Sequence, residues 1–179
     1  MEEKPPPRRK RLRLSEYDYA TAGAYFVTIC VRDRRCMFGT VVNNAMSLNS
    51  WGRIVEDCWY DLRVHYPTVD LDAFVVMPNH VHGILALKPA SAHQTAYALT
   101  EIVRAFKTFS ARAINARRRM KQTLWQRGYF DRIIRNEKEL MRIREYIDNN
   151  PVAWQYDREN PARLLDEPAV ETSLLELER

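Results

Sequence analysis

Hydrophobic and polar residues alternate along this chain with two different periods, which predicts a mixture of strands and helices. The segment 25–31 is dense in aromatic and β-branched residues, as expected of a buried strand. Two further apolar segments, 69–77 and 81–87, are separated by Pro78 and Asn79. These two segments predict either an antiparallel pair of strands or one strand interrupted by a turn.

Three other segments place apolar residues three or four positions apart, which is the spacing of an amphipathic helix. We expect Pro67 to end the first helix and Pro151 to end the third, because proline cannot donate the next helical hydrogen bond. A short strand or hairpin arm is expected at 39–42, and a turn followed by a strand within 124–134. The helices are predicted from 49 or 50 to about 66, from 99 to about 119, and from 136 to about 149 or 150.

The order of these elements is strand, helix, strand, strand, helix, strand, helix. Long helices that alternate with antiparallel strands are typical of an α+β sandwich. We therefore expect a ferredoxin-like fold, with an antiparallel sheet of four to five strands packed against about three helices.

Two histidines stand one residue apart at the start of the segment 81–87. Side chains of a strand alternate between its faces, so His80 and His82 should point the same way and Val81 the opposite way. Polar rings among apolar neighbours need partners, because burying an unpaired polar group is unfavourable. Two explanations remain open here, which are a shared metal ion and two core histidines with ordinary hydrogen-bond partners.

Composition narrows the class of protein. The chain has 179 residues and is 46% hydrophobic, which suits one domain with extensions. It has no apolar stretch of membrane-spanning length and no signal-peptide core near its first residue, so we expect a soluble, cytoplasmic protein. The three cysteines have no metal-binding spacing, which favours buried, reduced thiols.

Charge is unevenly distributed along a chain whose net charge is +5. Two basic clusters precede an acidic end, and this pattern favours a polyanionic partner, most simply nucleic acid. The alternative is that these cations cover solvated helix faces. The predicted DNA-binding residues are Arg8, Arg9, Lys10 and Arg11 near the start, and Lys107, Arg112, Arg117, Arg118, Arg119, Lys121 and Arg127 in the middle.

The same features suggest where the folded domain begins and ends. Residues 1–15 contain three consecutive prolines and a basic run, so we expect a flexible arm. Residues 16–155 are expected to form the domain, and residues 156–179 an acidic tail.

The third predicted helix carries Tyr146 and Asn150, which lie on one face because they are four residues apart. A phenol oxygen that attacks a DNA phosphate forms a covalent phosphotyrosyl link and frees a 3′ hydroxyl. A divalent cation held by His80 and His82 would orient the phosphate, with the Asn150 carbonyl oxygen as a third ligand. Alone, Tyr146 is explained as an amphipathic residue at the edge where the helix meets the sheet, and Asn150 as a residue at the end of the helix before Pro151, but the combination favours chemistry.

Three motifs in this order resemble the single-tyrosine HUH transposases, and most closely the REP-associated tyrosine transposases. They are Met-Pro-Asn-His-Val-His-Gly at 77–83, Leu-Trp-Gln-Arg-Gly-Tyr-Phe-Asp-Arg at 124–132 and Tyr-Ile-Asp-Asn-Asn-Pro-Val at 146–152. The resemblance extends from about Tyr25 to Trp154. Insertion-sequence members commonly have glutamine four residues after the tyrosine, whereas this chain has Asn150, as the REP-associated group does.

The resemblance implies the HUH fold and a transposase that cleaves and rejoins single-stranded DNA beside a hairpin. It implies that His80 and His82 bind Mg²⁺ or Mn²⁺ and that Tyr146 forms a 5′-phosphotyrosine intermediate. Tyr129, which lies in the second motif, is the main rival nucleophile. A self-contained monomer is favoured over a dimer that exchanges the third helix.

Two other functions remain possible at this stage. A catalytically silent protein of the same fold could bind hairpin DNA and keep the catalytic residues only for structure. A metal-dependent hydrolase of small phosphates would use the histidines but would not need two basic clusters.

Overall fold

The computed structural model describes residues 21–91, 95–119 and 121–163. The basic arm predicted at 1–15 and most of the acidic tail lie outside these residues. The strands are β1 (Gly23–Cys30), β2 (Gly39–Val42), β3 (Ala45–Leu48), β4 (Val69–Val76), β5 (His80–Leu87) and β6 (Phe130–Ile134). The helices are α1 (Ser50–Tyr60), α2 (Leu62–His65), α3 (Leu99–Arg118) and α4 (Glu137–Ala153).

Four strands form one antiparallel sheet in the order β4, β5, β1, β6. The strands β4 and β5 pair with each other, so the antiparallel alternative of the sequence analysis is confirmed. In the register of β1 with β5, Cys30 lies opposite His80 and Thr28 opposite His82. This register sets the neighbours of both histidines on the sheet. The predicted α+β architecture, with a four-stranded antiparallel sheet and three long helices, is confirmed.

The alternation of side chains along β1 divides the core between the two faces of the sheet. Tyr25, Val27 and Ile29 belong to the larger cluster, which includes the apolar side chains of α1 and α3. Phe26 belongs to a smaller cluster on the opposite face, where the apolar side of α4 packs. The histidines of β5 share the face of Phe26, so they lie beneath α4.

A separate hairpin of β2 and β3 precedes α1. Only a short strand or hairpin arm at 39–42 was expected, so β3 is an element that the sequence pattern missed. Asn43 and Asn44 both have left-handed backbone conformations, with φ of 51° and 61°. Two such residues form a tight turn whose twist matches an antiparallel pair of short strands.

Two predicted helix boundaries were wrong. The first helix was expected to be continuous to Tyr66, but it divides at Asp61, where Val64 donates to the Asp61 carbonyl in a tighter, i to i−3 turn. The third was expected to stop before Pro151, but it continues to Ala153. Pro151 lies in the last turn, where its ring removes one hydrogen-bond donor without ending the helix, and Trp154 donates to the Pro151 carbonyl.

Two ion pairs fasten α4 to its own sheet. Arg144 donates to both carboxylate oxygens of Asp72 in β4, at 2.9 and 2.7 Å. Arg132 in β6 donates to Glu139 in the first turn of α4, at 2.7 Å. Asn136 caps the helix by accepting from the Glu139 backbone at 2.9 Å. The position of α4 is therefore specified at its start and along its length.

Among the described residues, no helix is both long and apolar enough to span a membrane.

Replacing Gly83 by alanine tests how closely α1 packs on the sheet beside the histidines. A Cβ at Gly83 would overlap the Trp59 indole, which stacks on Phe74. We expect the substitution to lower the free energy of unfolding by ~1–3 kcal/mol in urea titrations, because the extra methyl overpacks the core. Gly23→Ala is the matched control, since its added Cβ would lie 3.9 Å from the nearest atoms of Tyr25. Equal losses for both variants would contradict this interpretation.

Asp72→Asn tests the attachment of α4. The Arg144 guanidinium lowers the pKa of the Asp72 carboxyl, so the ion pair stabilises the fold at neutral pH. This stabilisation is lost as the pH falls below the ordinary value of ~3.9 and through the lowered pKa of the folded state. We expect the variant to unfold at a lower temperature than the wild type at pH 7, and the difference to shrink with acid.

Asp70→Asn is the control for this experiment, because it removes a carboxylate of β4 that pairs with Lys88 at the exposed surface. A variant of Asp72 that unfolds at the wild-type temperature at pH 7 would show that the ion pair does not hold α4.

Candidate active site

His80 and His82 lie side by side under α4, at the centre of the sheet. Both side chains point to the same face, as predicted, and their exposed fractions are 0% and 1%. The two Nε2 atoms are 3.0 Å apart. Burial at this separation means that the two rings share one small space, into which both Nε2 atoms point.

Asn79 fixes the orientation and the tautomer of His80. The Asn79 amide nitrogen donates to two backbone carbonyls, those of Arg34 at 3.0 Å and Glu159 at 2.7 Å. Its Oδ1 therefore faces His80 Nδ1, at 2.9 Å, as an acceptor. His80 then carries its proton on Nδ1, and the lone pair of Nε2 points towards His82.

His82 is held from the neighbouring strand. Its Nδ1 lies 2.9 Å from the hydroxyl of Thr28, its partner in the register of β1. Phe26 stacks on the ring, with centroids 5.4 Å apart and planes 22° apart. A hydroxyl oxygen can accept the Nδ1 proton, and in that tautomer the lone pair of His82 Nε2 faces His80 Nε2 at 3.0 Å.

Burial keeps both imidazoles neutral. It lowers the pKa of His80 to about 4, although the Glu159 carboxylate and the Asn150 side chain oppose this shift. Burial and the proximity of His80 lower the pKa of His82 well below its ordinary value. At neutral pH both rings therefore have the protonation state that a metal ligand needs.

The spacing of the two Nε2 atoms suits a divalent cation. Two ligands at right angles on an octahedral ion, with bonds of about 2.1 Å, lie about 3.0 Å apart, which is the distance between these two atoms. Neutral imidazoles oriented by hydrogen bonds at Nδ1 are a common donor set for metals. The residues present therefore fit the predicted cation.

Tyr146 projects from α4 onto this pair of rings. Its hydroxyl lies 3.5 Å from His82 Nε2, and its ring centroid is 5.2 Å from that of His82. The Tyr146 ring also contacts Phe26 edge-on, at 5.9 Å between centroids. The helix thus brings the predicted nucleophile to the predicted ligands within one chain.

Asn150 lies one turn further along α4 and is 3% exposed. Its side chain is close enough to His80 to raise the pKa of that ring, against the effect of burial. Among the described residues, its carbonyl oxygen has no hydrogen-bond partner of acceptable geometry. A buried oxygen without a partner is an available ligand atom at this site.

Asp157 is a site residue that the sequence analysis missed. Its Oδ2 lies 3.7 Å from His80 Nε2, and one ligand atom from each of His80, His82 and Asp157 falls within 4.8 Å of the others. Burial and the Glu159 carboxylate raise the pKa of Asp157 to about 6. No spacing in the sequence connects Asp157 with the strand of His80 and His82. The turn after α4 brings Asp157 next to His80.

The predicted basic residues lie mostly away from this site. Helix α3, which carries several of them, packs on the opposite face of the sheet from α4. Arg112 lines a groove of about 750 Å³ beside Trp125 and Tyr129. Arg127 lines a separate depression together with Arg32 and Arg34.

The remaining basic residues have varied surroundings. The ammonium of Lys107 donates to the carbonyls of Gln126 and Gly128, at 2.7 and 2.8 Å, so it supports a loop. The Arg118 guanidinium lies 6.0 Å from the Trp51 ring centroid. Arg117, Arg119 and Lys121 are exposed, and Arg8, Arg9, Lys10 and Arg11 lie outside the described residues. Contact of any of them with DNA stays a prediction.

Comparison with known proteins identifies the family. The family model described as "Transposase IS200 like" matches residues 24–150, which include both histidines and Tyr146. An uncharacterised protein of Haemophilus influenzae is 38% identical over 168 residues, covering 84% of this chain and 92% of that protein. The chain therefore belongs to the IS200-like transposase family.

Two further similarities are to proteins described as REP-associated tyrosine transposases. A Haemophilus influenzae protein named as a REP-associated tyrosine transposase is 27% identical over 143 residues, covering 78% of this chain and 76% of its own. The solved structure of a REP-associated tyrosine transposase bound to a REP hairpin is similar in fold, with a TM-score of 0.57 and 24% identity. That similarity covers 79% of this chain and 74% of the solved one.

Proposed function

We propose that this transposase cleaves and rejoins single-stranded DNA beside a hairpin, through a covalent 5′-phosphotyrosine on Tyr146, with Mg²⁺ or Mn²⁺ bound by His80 and His82. The observation that carries the proposal is the distance of 3.5 Å between the Tyr146 hydroxyl and His82 Nε2. It brings a nucleophile and a cation-binding pair to one point, which strand transfer requires and DNA binding alone does not.

The proposed reaction exchanges one phosphate ester for another. The Tyr146 oxygen forms a bond to phosphorus as the bond between phosphorus and the 3′ oxygen breaks. The phenol gives up its proton, and the departing 3′ oxygen takes one up. Because an ester bond is conserved, a 3′ hydroxyl can later attack the phosphotyrosine and rejoin the strand.

The cation, when bound, would polarise the phosphate and lower the cost of removing the phenol proton. An unperturbed phenol has a pKa of ~10, so Tyr146 needs such assistance near neutral pH. The chain itself holds His80 and His82 neutral and oriented through Asn79 and Thr28. Asn150 is proposed as a further ligand, through its buried carbonyl oxygen.

Hairpin DNA is the proposed substrate. The similar solved structure is described as bound to a REP hairpin, and this chain has a net charge of +5 with clustered cations. We assign phosphate contacts to the exposed residues of the α3 end, Arg117 and Arg119, and to Arg112 in the adjoining groove. The arm at 1–15 is proposed to add contacts through its basic run.

We also propose that Tyr146 acts with the histidines of its own chain, in a monomer. The ion pairs of Arg144 with Asp72 and of Arg132 with Glu139 attach α4 to the sheet that carries those histidines. Within one chain Tyr146 already lies 3.5 Å from His82, so the site needs no exchange of this helix to be complete. The cytoplasmic location and the domain limits at 15 and 155 stay predictions.

Tyr146→Phe tests the nucleophile, because it removes one oxygen and keeps the ring. We expect it to abolish the covalent adduct with a single-stranded hairpin oligonucleotide, measured on denaturing gels in Mg²⁺ or Mn²⁺. Hairpin binding should change by less than about twofold in gel shifts. Tyr129→Phe is the matched control and should form the adduct normally.

The opposite pattern, with the adduct lost in Tyr129→Phe and kept in Tyr146→Phe, would show that the wrong tyrosine has been chosen. Absence of any adduct from the wild type in both cations, with hairpin binding retained, would favour the silent DNA-binding protein.

Salt dependence tests the phosphate contacts. Replacing Arg117 and Arg119 together by glutamine should weaken binding to all hairpin sequences alike, because phosphates carry no sequence information. The slope of log K against log salt should decrease by about 1–2, since each lost contact releases about one counterion fewer. Replacing the exposed pair Arg63 and Lys138 by glutamine is the control and should leave the slope unchanged. Equal effects of the two double variants would contradict the assignment.

A further inference from the structure

We propose that Asp157 is the anionic ligand of the cation site, and that the short segment after α4 is therefore part of the active centre. This inference rests on the proposed cation-dependent function, and it adds a ligand to the proposed cation site. Its starting point is geometric, because Asp157 Oδ2 lies 3.7 Å from His80 Nε2 and the Asp157 side chain is only 11% exposed.

The segment that carries Asp157 is fixed to the histidine end of β5. The Asn79 amide nitrogen, which also orients His80, donates to the Glu159 carbonyl at 2.7 Å. Arg34 forms an ion pair with the Glu159 carboxylate at 3.1 Å and donates to the Arg158 carbonyl at 3.1 Å. The same residue, Asn79, therefore positions both His80 and the turn that holds Asp157.

The two oxygens of Asp157 have different neighbours. Oδ1 accepts from the backbone N–H of Glu159 at 2.7 Å, which fixes the rotation of the carboxylate. Oδ2 is the oxygen nearest His80 Nε2. An Asp side chain held in this way presents one oxygen to the space shared by the two imidazoles.

The three ligand atoms form one cluster. One atom from each of His80, His82 and Asp157 lies within 4.8 Å of the other two. Adjacent ligands on an octahedral ion with bonds of about 2.1 Å lie about 3.0 Å apart. The separation of 3.7 Å between His80 and Asp157 is wider than this, but it stays below ~4.2 Å, the largest separation that two ligands with such bonds can have.

A carboxylate changes which cation the site prefers. Two neutral imidazoles and an amide oxygen leave the full charge of a divalent ion uncompensated in a buried space. Mg²⁺ and Mn²⁺ prefer carboxylate oxygens, whereas a site dominated by imidazole also suits Zn²⁺. One aspartate balances part of the charge and leaves a net positive charge to attract a phosphate.

Asn150 is the competing source of the third ligand, and the two residues can be tested separately. Asn150 lies within α4, whereas Asp157 lies on the turn beyond it. The Asn150 oxygen is neutral, so it cannot supply the charge compensation described above. Loss of each side chain should therefore affect cation binding to a different extent.

The experiment measures Mn²⁺ binding to the full-length protein without DNA, by titration with electron paramagnetic resonance of the free ion. We expect Asp157→Asn to weaken Mn²⁺ binding by at least ~10-fold, and to weaken Zn²⁺ binding, measured by calorimetry, by less than that. Asp148→Asn is the matched control, because it removes an exposed carboxylate on α4, and it should bind Mn²⁺ like the wild type. Thermal unfolding in EDTA checks that each variant is folded.

Asp157→Glu provides a second variant, because it keeps the carboxylate and should recover part of the lost affinity. Unchanged Mn²⁺ binding in Asp157→Asn, with binding lost in His80→Ala and His82→Ala, would overturn this inference and leave the proposed function intact. Mn²⁺ binding that survives in the histidine variants as well would overturn both. An equal loss of Mn²⁺ affinity in Asp157→Asn and Asp148→Asn would show that the effect comes from net charge. This result would also refute a ligand role for Asp157.

Discussion

Burial of two imidazole rings, with their Nε2 atoms 3.0 Å apart, is the constraint on which the rest of this site depends. Two charged rings could not occupy this space, because burial and mutual repulsion both oppose protonation. Neutral rings that point two lone pairs at one place form a donor set for a cation. The sheet, α4 and the segment after α4 each contribute side chains that line this space or contact the two rings.

The residues that hold the site in place come from separate parts of the chain. Thr28 of β1 and Asn79 of the turn before β5 set the rotation of the two rings. The ion pair of Arg144 with Asp72 attaches α4, the helix that carries Tyr146, to β4 of the sheet. Strand register and helix docking therefore build the candidate site of this chain, while α3 carries cations on the opposite face of the sheet.

The sequence predicted those parts of the site that follow from local periodicity. Alternation in a strand placed His80 and His82 on one face, and the helical period placed Tyr146 and Asn150 together. Asp157 could not be found in this way, because its proximity to His80 depends on a turn after α4 and on contacts with Asn79 and Arg34. The predicted helix end at Pro151 was wrong for a similar reason. A proline in the last turn removes one hydrogen-bond donor, but contacts with the surrounding residues decide whether the helix ends there.

The most direct test of the central claim is mass spectrometry of the protein after reaction with a single-stranded hairpin oligonucleotide. Digestion with trypsin and nuclease would release residues 145–158 as one peptide, which contains both Tyr146 and Tyr156. Fragmentation should locate the added nucleotide phosphate on Tyr146. A phosphate located on Tyr156, or on a tyrosine of another peptide, would contradict the account.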